Sequence, residues 1–289
     1  MTSHTTSLNE DKNQQTLYLQ DGRILSYAEY GDLTGKPLFF FHGGNDSRLE
    51  AAIVDETAQQ MRVRVIAPDR PGYGRSTFQP NRTFLDWPAD VLALANALEL
   101  QRFAVVGHSG GGPHAAAVAN ATPERLTGVG LISSAAPPGS SNKGMHPLFR
   151  LINFFMGSSP KLHRRITEQT AVQVQDTPEK FFTQWGRMSP ADGRLFQSRP
   201  AVREMIAAEM QEALHQGIDA ILQEHPLYKQ PWGFELTEIA LPVHVWHGLA
   251  DVHISQDVPH FVPNEGHFSI LANYQADILA LAVNDERAT

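Results

Sequence analysis

The feature that most constrains this chain is a rhythm of short, nearly continuous apolar runs separated by stretches of helical character. The runs are PLFFFHGG (37–44), RVRVIAPDRPG (62–72), RFAVVGHSG (102–110) and LTGVGLISSAAPP (126–138), with another, LPVHVWHG, at 241–248. A strand with one wet face alternates apolar and polar residues. A strand covered on both faces has no reason to, so unbroken runs point to a parallel sheet with helices on either side. Between the runs, EAAIVDETAQQM (50–61), FLDWPADVLALANALEL (84–100) and the stretch from Pro113 to Leu126 read as helices. Pro113 is tolerated in the first helical turn, where no backbone donor is needed. Strand and helix in alternation predict the α/β class: a doubly wound, mostly parallel sheet with right-handed crossovers. Ahead of it, TLYLQ, the Asp21-Gly22 pair and RILSYAEYG predict an antiparallel hairpin.

The rhythm breaks at PPGSSNKG (137–144). From 145 to about 228 no strand is evident, and several amphipathic helices are expected, with Phe149, Phe181, Phe182 and Trp185 among their apolar positions. The sheet pattern then resumes at 241, and LANYQADILALAV (271–283) closes the chain as a helix. An insertion leaving the C-terminal end of a strand lies over the strand ends, where open α/β sheets bind ligands. Residues 137–229 are therefore read as a helical cap, or lid, inserted between two parts of one core, 16–136 and 230–289. Helices packed on the sheet for stability alone are the plainer reading. The polar residues 1–15 are expected to form a disordered tail.

Composition narrows the function classes. With 289 residues, 42% of them hydrophobic, the chain is long enough for one large α/β domain. A net charge of −8 argues against nucleic acid as partner, since a phosphate backbone demands a basic face. There is no cysteine, which removes disulfides, thiolate metal sites and a cysteine nucleophile. The N-terminus lacks the basic start and apolar core of a signal peptide, and no apolar run reaches the roughly 18 residues that cross a bilayer. The expectation is a cytoplasmic protein with a small-molecule substrate and no membrane partner, monomer or homodimer being open.

Gly107-His108-Ser109-Gly110-Gly111 matches G-x-S-x-G between a buried strand and a helix, the setting of a nucleophile elbow. Alone the motif is weak, and a plain glycine turn would also satisfy it. In the elbow, neighbours two positions from the serine must lack side chains for the turn to close. A serine nucleophile needs a base, and the base an orienting acid. In this architecture the acid and then the histidine should each follow a later strand. Asp251 follows LPVHVWHG, and His267 follows the apolar segment VPHFVP (258–263); Asp257 and Glu265 are the rival acids. For the oxyanion of an acyl-transfer intermediate, the backbone N–H groups of Gly110 and Gly44 are the expected donors. In the same loop His42 is expected to be structural, and Asn45 to line the pocket, as is His108 beside the serine. Asp69 and Ser76 are read as tying the turn DRPGYGRS (69–76). His244, His247 and His253 are close in sequence, but His244 and His247 lie on opposite faces of a strand, which argues against a metal site.

With these residues assembled, the chain resembles the α/β-hydrolase family, in particular its lid-bearing serine hydrolases. The resemblance runs from about 16 to 285 apart from the cap and rests on FFHGG (40–44), DRPGYGRS (69–76), GHSGG (107–111), HGLAD (247–251) and EGH (265–267). It implies Ser109 as nucleophile, His267 as base, Asp251 as acid, the Gly44 and Gly110 amides as oxyanion hole, and neither metal nor organic cofactor. An aspartate at the elbow would suggest a dehalogenase or epoxide hydrolase, and the serine argues against both. Three departures stand out. Gly110 occupies a position where many family esterases carry a larger residue, the loop reads HGGN rather than HGGG, and only fifteen residues (252–266) separate Asp251 from His267. A parallel crossover takes about a dozen residues or more, usually with a helix, so this one is expected to be an extended loop or to lack a segment. The expected activity is hydrolysis of a small or medium apolar carboxylic ester. A C–C bond, lactone or amide hydrolase with the same triad is the alternative, and a ligand-binding or signalling protein with little turnover is the alternative from another class.

Overall fold

The computed structural model describes residues 12–253 and 261–284. Eight strands form one sheet: β1 (Gln15–Tyr18), β2 (Ile24–Gly31), β3 (Lys36–Phe41), β4 (Val63–Pro68), β5 (Phe103–His108), β6 (Leu126–Ile132), β7 (Val243–Gly248) and β8 (Phe261–Val262). Their order across the sheet is β1-β2-β4-β3-β5-β6-β7-β8. The β1–β2 and β2–β4 pairs are antiparallel and the remaining pairs parallel, which makes the sheet mostly parallel and doubly wound around β3 and β5.

Successive side chains of a strand point to opposite faces, and both faces of this sheet are dry. Leu38, Phe40, Val65, Ala104 and Val106 pack with α1 (Asp55–Met61) and with α11 (Gln275–Val283) through Ile278 and Leu281. Phe39, Phe41, Ile66, Phe103 and Val105 pack on the other side, against α2 (Trp87–Ala97) and α3 (Gly112–Ala121). That division accounts for the unbroken apolar runs. At about 25 cal/mol per Å² of apolar area, these two layers are the main source of stability.

Between β6 and β7 lie α4 (Pro147–Ser158), α5 (Pro160–Asp176), α6 (Pro178–Met188), α7 (Pro190–Ser198), α8 (Pro200–Ala213) and α9 (Asp219–Glu224). The first five begin on a proline, whose fixed φ suits the first turn and whose missing N–H costs nothing there. Each proline also discourages helix at the residue before it, so one long polar stretch is cut into separate rods. These helices have their own apolar cluster, with Phe182, Trp185, Leu195, Phe196, Ile206 and Met210, which meets the core at Tyr73 and Phe268.

Several expectations are corrected. Of the tail expected over 1–15, residues 1–11 lie outside the described residues, but 12–15 are tied to the fold. The Glu29 N–H donates to the Lys12 carbonyl at 2.8 Å, and Gln15 opens β1. The helix expected over 50–61 is a 3-10 segment, Arg48–Val54, followed by α1, and that over 84–100 opens with a 3-10 turn, Phe84–Asp86. The closing helix is broken at Tyr274 into α10 (Ser269–Asn273) and α11. Of the apolar segment 258–263, residues 258–260 lie outside the described residues. No helix among the described residues is long and apolar enough to cross a membrane.

Candidate active site

Ser109 sits at the turn from β5 into α3 with φ at +51°, a strained conformation for a side chain larger than glycine. The turn is tight enough that a Cβ on Gly107 would lie 2.2 Å from the Gly111 carbonyl oxygen, and one on Gly111 would lie 2.1 Å from that of Phe41. The two glycines flanking the serine are therefore steric requirements of the elbow, and they lift the serine side chain to the end of the sheet.

His267 and Asp251 meet the serine there. The His267 Nε2 lies 3.0 Å from Ser109 Oγ, and its Nδ1 lies 2.9 Å from Asp251 Oδ2. Asp251 is fully buried. Burial works against its charge, but the imidazole of His267 outweighs it and holds the carboxyl well below the usual carboxylate range. An ionised carboxylate only accepts, so Nδ1 carries the imidazole proton and Nε2 is left to accept from the serine hydroxyl. Of the rival acids, Glu265 bonds Ser269 and Asn273 instead, and Asp257 lies outside the described residues. The short spacing does not keep Asp251 from His267. β7 and β8 pair in parallel, His247 opposite Phe261, and the Ala250 N–H bonds the Glu265 carbonyl at 2.8 Å, so the two loops run side by side.

Gly44 and Gly110 also converge: a Cβ on Gly110 would lie 2.9 Å from the Gly44 nitrogen. The loop carrying Gly44 is braced from beneath. Arg70 donates its backbone N–H to His42 Nε2 at 3.1 Å, and its guanidinium bonds the carbonyls of His42 and Gly43, the latter at 2.8 Å. His42 Nδ1 then faces the Gly43 carbonyl at 2.9 Å. Burial and the Arg70 charge push the His42 imidazole well below its ordinary range, so it is neutral and holds this loop. Asp69 and Ser76 close the neighbouring turn, the Ser76 hydroxyl donating to the Asp69 carbonyl at 2.8 Å.

Asn45 lines the cavity that opens onto Ser109. His108 does not, which corrects its expected place. It is fully buried, with Nδ1 2.5 Å from Glu50 Oε1 and Nε2 3.1 Å from the His267 carbonyl. Both partners are acceptors, so both ring nitrogens must donate and the ring is an imidazolium. Burial opposes that charge, but the Glu50 carboxylate, with Asp46 behind it, raises the pKa to about 9. Glu50 also accepts the Gly43 N–H at 2.9 Å. His108 and Glu50 thus join the loop carrying Gly43 and Gly44 to the backbone of His267. Asp46, Glu50 and His108 hold ligand-type atoms within 4.8 Å of one another, but an imidazolium has no lone pair to give a cation. Of the three histidines near β7, His247 is buried, His244 lies exposed, and His253 meets His267 edge-on at 5.1 Å between ring centroids.

Three buried carboxylates of the helical insertion, none of them singled out by the sequence, reach down to these loops. Asp192 of α7 accepts the N–H groups of His267, Phe268 and Ser269 at 3.1, 3.0 and 2.9 Å, as well as the Trp185 indole and the Ser189 hydroxyl. Glu209 of α8 accepts the Ser47 N–H at 3.2 Å, and its own carbonyl takes the Ser47 hydroxyl at 2.8 Å. Glu224, at the end of α9, pairs with Arg70 and Arg82. Burial disfavours its charge, but the two guanidinium groups hold it ionised, well below the usual range.

The cavity has a volume of about 1020 Å³ and lies between Ser109 and the insertion. Phe149, Trp185, Met210, Leu214 and Ile221 give it apolar walls, and Tyr228 and Asp46 add polar groups near the serine.

A family model described as alpha/beta hydrolase fold matches residues 36–251. Among curated proteins, a non-heme chloroperoxidase from Streptomyces lividans is 37% identical over 130 residues, which is 42% of this chain and 45% of that protein. The chain thus spans under half the length of this relative. Among solved structures, an alpha/beta hydrolase fold protein from Nakamurella multipartita superposes with a TM-score of 0.69 at 16% identity, covering 96% of this chain and all of that one. A thermophilic esterase from Thermogutta terrifontis gives 0.63 at 21% identity, over 93% of this chain and 95% of its own. At these identities the two structures bear on the fold.

Proposed function

The chain belongs to the alpha/beta hydrolase fold family, and from that premise we propose that it is a serine hydrolase of medium-sized apolar carboxylic esters. The observation that carries this reading is the continuous hydrogen-bond chain from Ser109 Oγ through His267 to Asp251, at 3.0 and 2.9 Å. Ser109 Oγ attacks the ester carbonyl while its proton passes to His267 Nε2. Asp251, paired to Nδ1, fixes the tautomer and stabilises the imidazolium that forms. The carbonyl oxygen becomes an oxyanion between the N–H groups of Gly44 and Gly110, donors worth about 3–4 kcal/mol each in comparable sites. Collapse expels the alcohol, which takes the proton from His267. Water, deprotonated by the same imidazole, then releases the acid and restores the serine hydroxyl. The reaction so written balances without a cofactor.

Two features support the substrate class. Apolar walls suit an acyl chain, and about 1020 Å³ is at the upper end for pockets that enclose a drug-sized ligand. The insertion supplies most of those walls, which supports reading it as a cap. The test pairs a fluorophosphonate probe with p-nitrophenyl esters of increasing acyl length. The wild type is expected to label and turn over, with a maximum at intermediate chains, and Ser109→Ala to do neither. A wild type that neither labels nor hydrolyses any ester overturns the reading.

A further inference from the structure

The oxyanion region holds a group that the triad does not use. Tyr228, in the turn after α9, points its hydroxyl at the junction of the two oxyanion-side loops. A Cβ on Gly110 would lie 2.4 Å from that hydroxyl oxygen and 2.9 Å from the Gly44 nitrogen, and one on Gly44 would lie 3.7 Å from the same hydroxyl. Tyr228, Ser109, Gly110 and Gly44 all line the one cavity. The absence of a side chain at position 110, where many family esterases carry a larger residue, therefore has a local cause: the tyrosine oxygen fills that space.

The hydroxyl is held by Glu224, whose Oε1 lies 2.5 Å away, with the Gly110 carbonyl oxygen as a second acceptor at 3.2 Å. Glu224 has other donors. Arg70 contributes Nε at 3.0 Å and Nη2 at 2.8 Å, Arg82 contributes Nη2, and the Tyr73 hydroxyl lies 3.2 Å from Oε1. The single Tyr73 proton is shared with the Gly44 carbonyl at the shorter distance of 2.8 Å, which leaves four donors, Tyr228 among them, for a carboxylate with about four lone-pair sites. Tyr228 can turn its O–H away without leaving Glu224 unpaired: Arg70 still bonds both of its oxygens and Arg82 one of them. Burial, and then the Glu224 charge, keep the Tyr228 phenol protonated far above neutral pH.

We infer that the Tyr228 hydroxyl is a third hydrogen-bond donor of the oxyanion site, supplied by the cap and aimed by Glu224. The inference rests on the serine hydrolase reading and adds to it a catalytic residue outside the triad. In the resting enzyme the O–H faces Glu224. As charge develops on the carbonyl oxygen, the O–H turns toward it and donates, keeping its proton throughout. A donor that engages only the developing charge lowers the barrier without tightening substrate binding.

The experiment is Tyr228→Phe, which removes one oxygen and keeps the ring against Phe84, 5.8 Å away between centroids. Its kcat on p-nitrophenyl butyrate is expected to fall about 10- to 100-fold, below the loss for a primary oxyanion donor, with KM within about twofold. Affinity for a boronic acid that forms a tetrahedral adduct on Ser109 should fall by the same factor. A kcat within twofold of wild type, or a loss confined to KM and Tm, overturns the inference. Site-specific fluorotyrosine at 228 gives a second readout that folding does not move. A more acidic phenol should change kcat in step with its pKa, and a flat response refutes a donor role. If the wild type is active and Tyr228→Phe matches it, only this inference fails; if the wild type is inactive on every ester and probe, the proposed function fails and this falls with it.

Discussion

Asp192→Asn tests whether a residue of the insertion holds His267, the proposed base, in place. The carboxylate is fully buried and serves five donors. Oδ1 takes the N–H groups of Phe268 and Ser269, and Oδ2 takes those of His267 and the Trp185 indole together with the Ser189 hydroxyl. An amide in the better of its two orientations keeps the Oδ1 bonds and sets an NH2 against the His267 and Trp185 N–H groups, while Ser189 can rotate to accept. Two buried donors are then orphaned, at about 1–3 kcal/mol each, so the substitution should cost roughly 2–6 kcal/mol. For a chain of 289 residues that is a fall in Tm of about 3–10 °C. The orphaned His267 amide shifts toward another acceptor, and a displacement of about 1 Å at the base can cost on the order of a hundredfold in rate. Thermal unfolding by circular dichroism and steady-state kinetics on a p-nitrophenyl ester read both effects, with kcat carrying the loss and KM little changed. A variant within 2 °C of the parent Tm, a change of about 1 kcal/mol or less, and with unchanged kcat would refute the claim that α7 positions the base.

Two further substitutions probe the site's charges. Asp251→Asn should leave the fold intact and lower kcat by about 10⁴, because an amide beside Nδ1 favours the wrong imidazole tautomer; ester kinetics with a circular dichroism control check it. Asp46 is raised to about 7 by burial and by the neighbouring Glu50 charge. A carboxyl raised in the fold stabilises it fully below its unfolded pKa, and that contribution is lost as pH climbs through the folded one. The window therefore runs from about 4 to 7, and a shift of that size corresponds to roughly 4 kcal/mol, shared with Glu209, which burial and the Asp46 and Glu50 charges also raise. Asp46→Asn should flatten the decline of urea-unfolding stability between about pH 4 and 7, and an unchanged decline would sink the assignment.

The sheet was legible because burial on both faces leaves its mark in the sequence: Phe39 and Phe41 face one helix layer, Leu38 and Phe40 the other, and all four must be apolar. The elbow was legible for a steric reason, since Gly107 and Gly111 sit where no Cβ fits. His267 and Asp251 could be picked out by chain order after the last strands. The groups that hold these residues were not legible. Asp192 in PADGRLF and Glu224 in DAILQEH look like the wet face of an amphipathic helix, and nothing local marks them as buried. Their partners lie 75 to 77 and 142 to 154 residues away in the chain, in loops whose sequence gives no hint of a carboxylate above them. His108 misled for the opposite reason: its neighbour lines the pocket, but alternation along β5 turns His108 inward to Glu50.

The three carboxylates also bear on how far the insertion can be treated as an accessory. Asp192, Glu209 and Glu224 come from three successive helices, and each ends on a loop of the site: the His267 loop, the Ser47 amide behind Gly44, and Arg70 beneath the His42 and Gly43 carbonyls. Lifting α9 alone would leave Arg70 and Arg82 buried without their anion, and breaking such a pair costs about 3–5 kcal/mol. A chain whose whole stability is about 5–15 kcal/mol has little room for that in each turnover. Helices α7 to α9 are therefore tied energetically to the loops that carry the site. The same links restrain the His267 loop from above, through the hydrogen bonds that Asp192 accepts from the backbone of His267, Phe268 and Ser269.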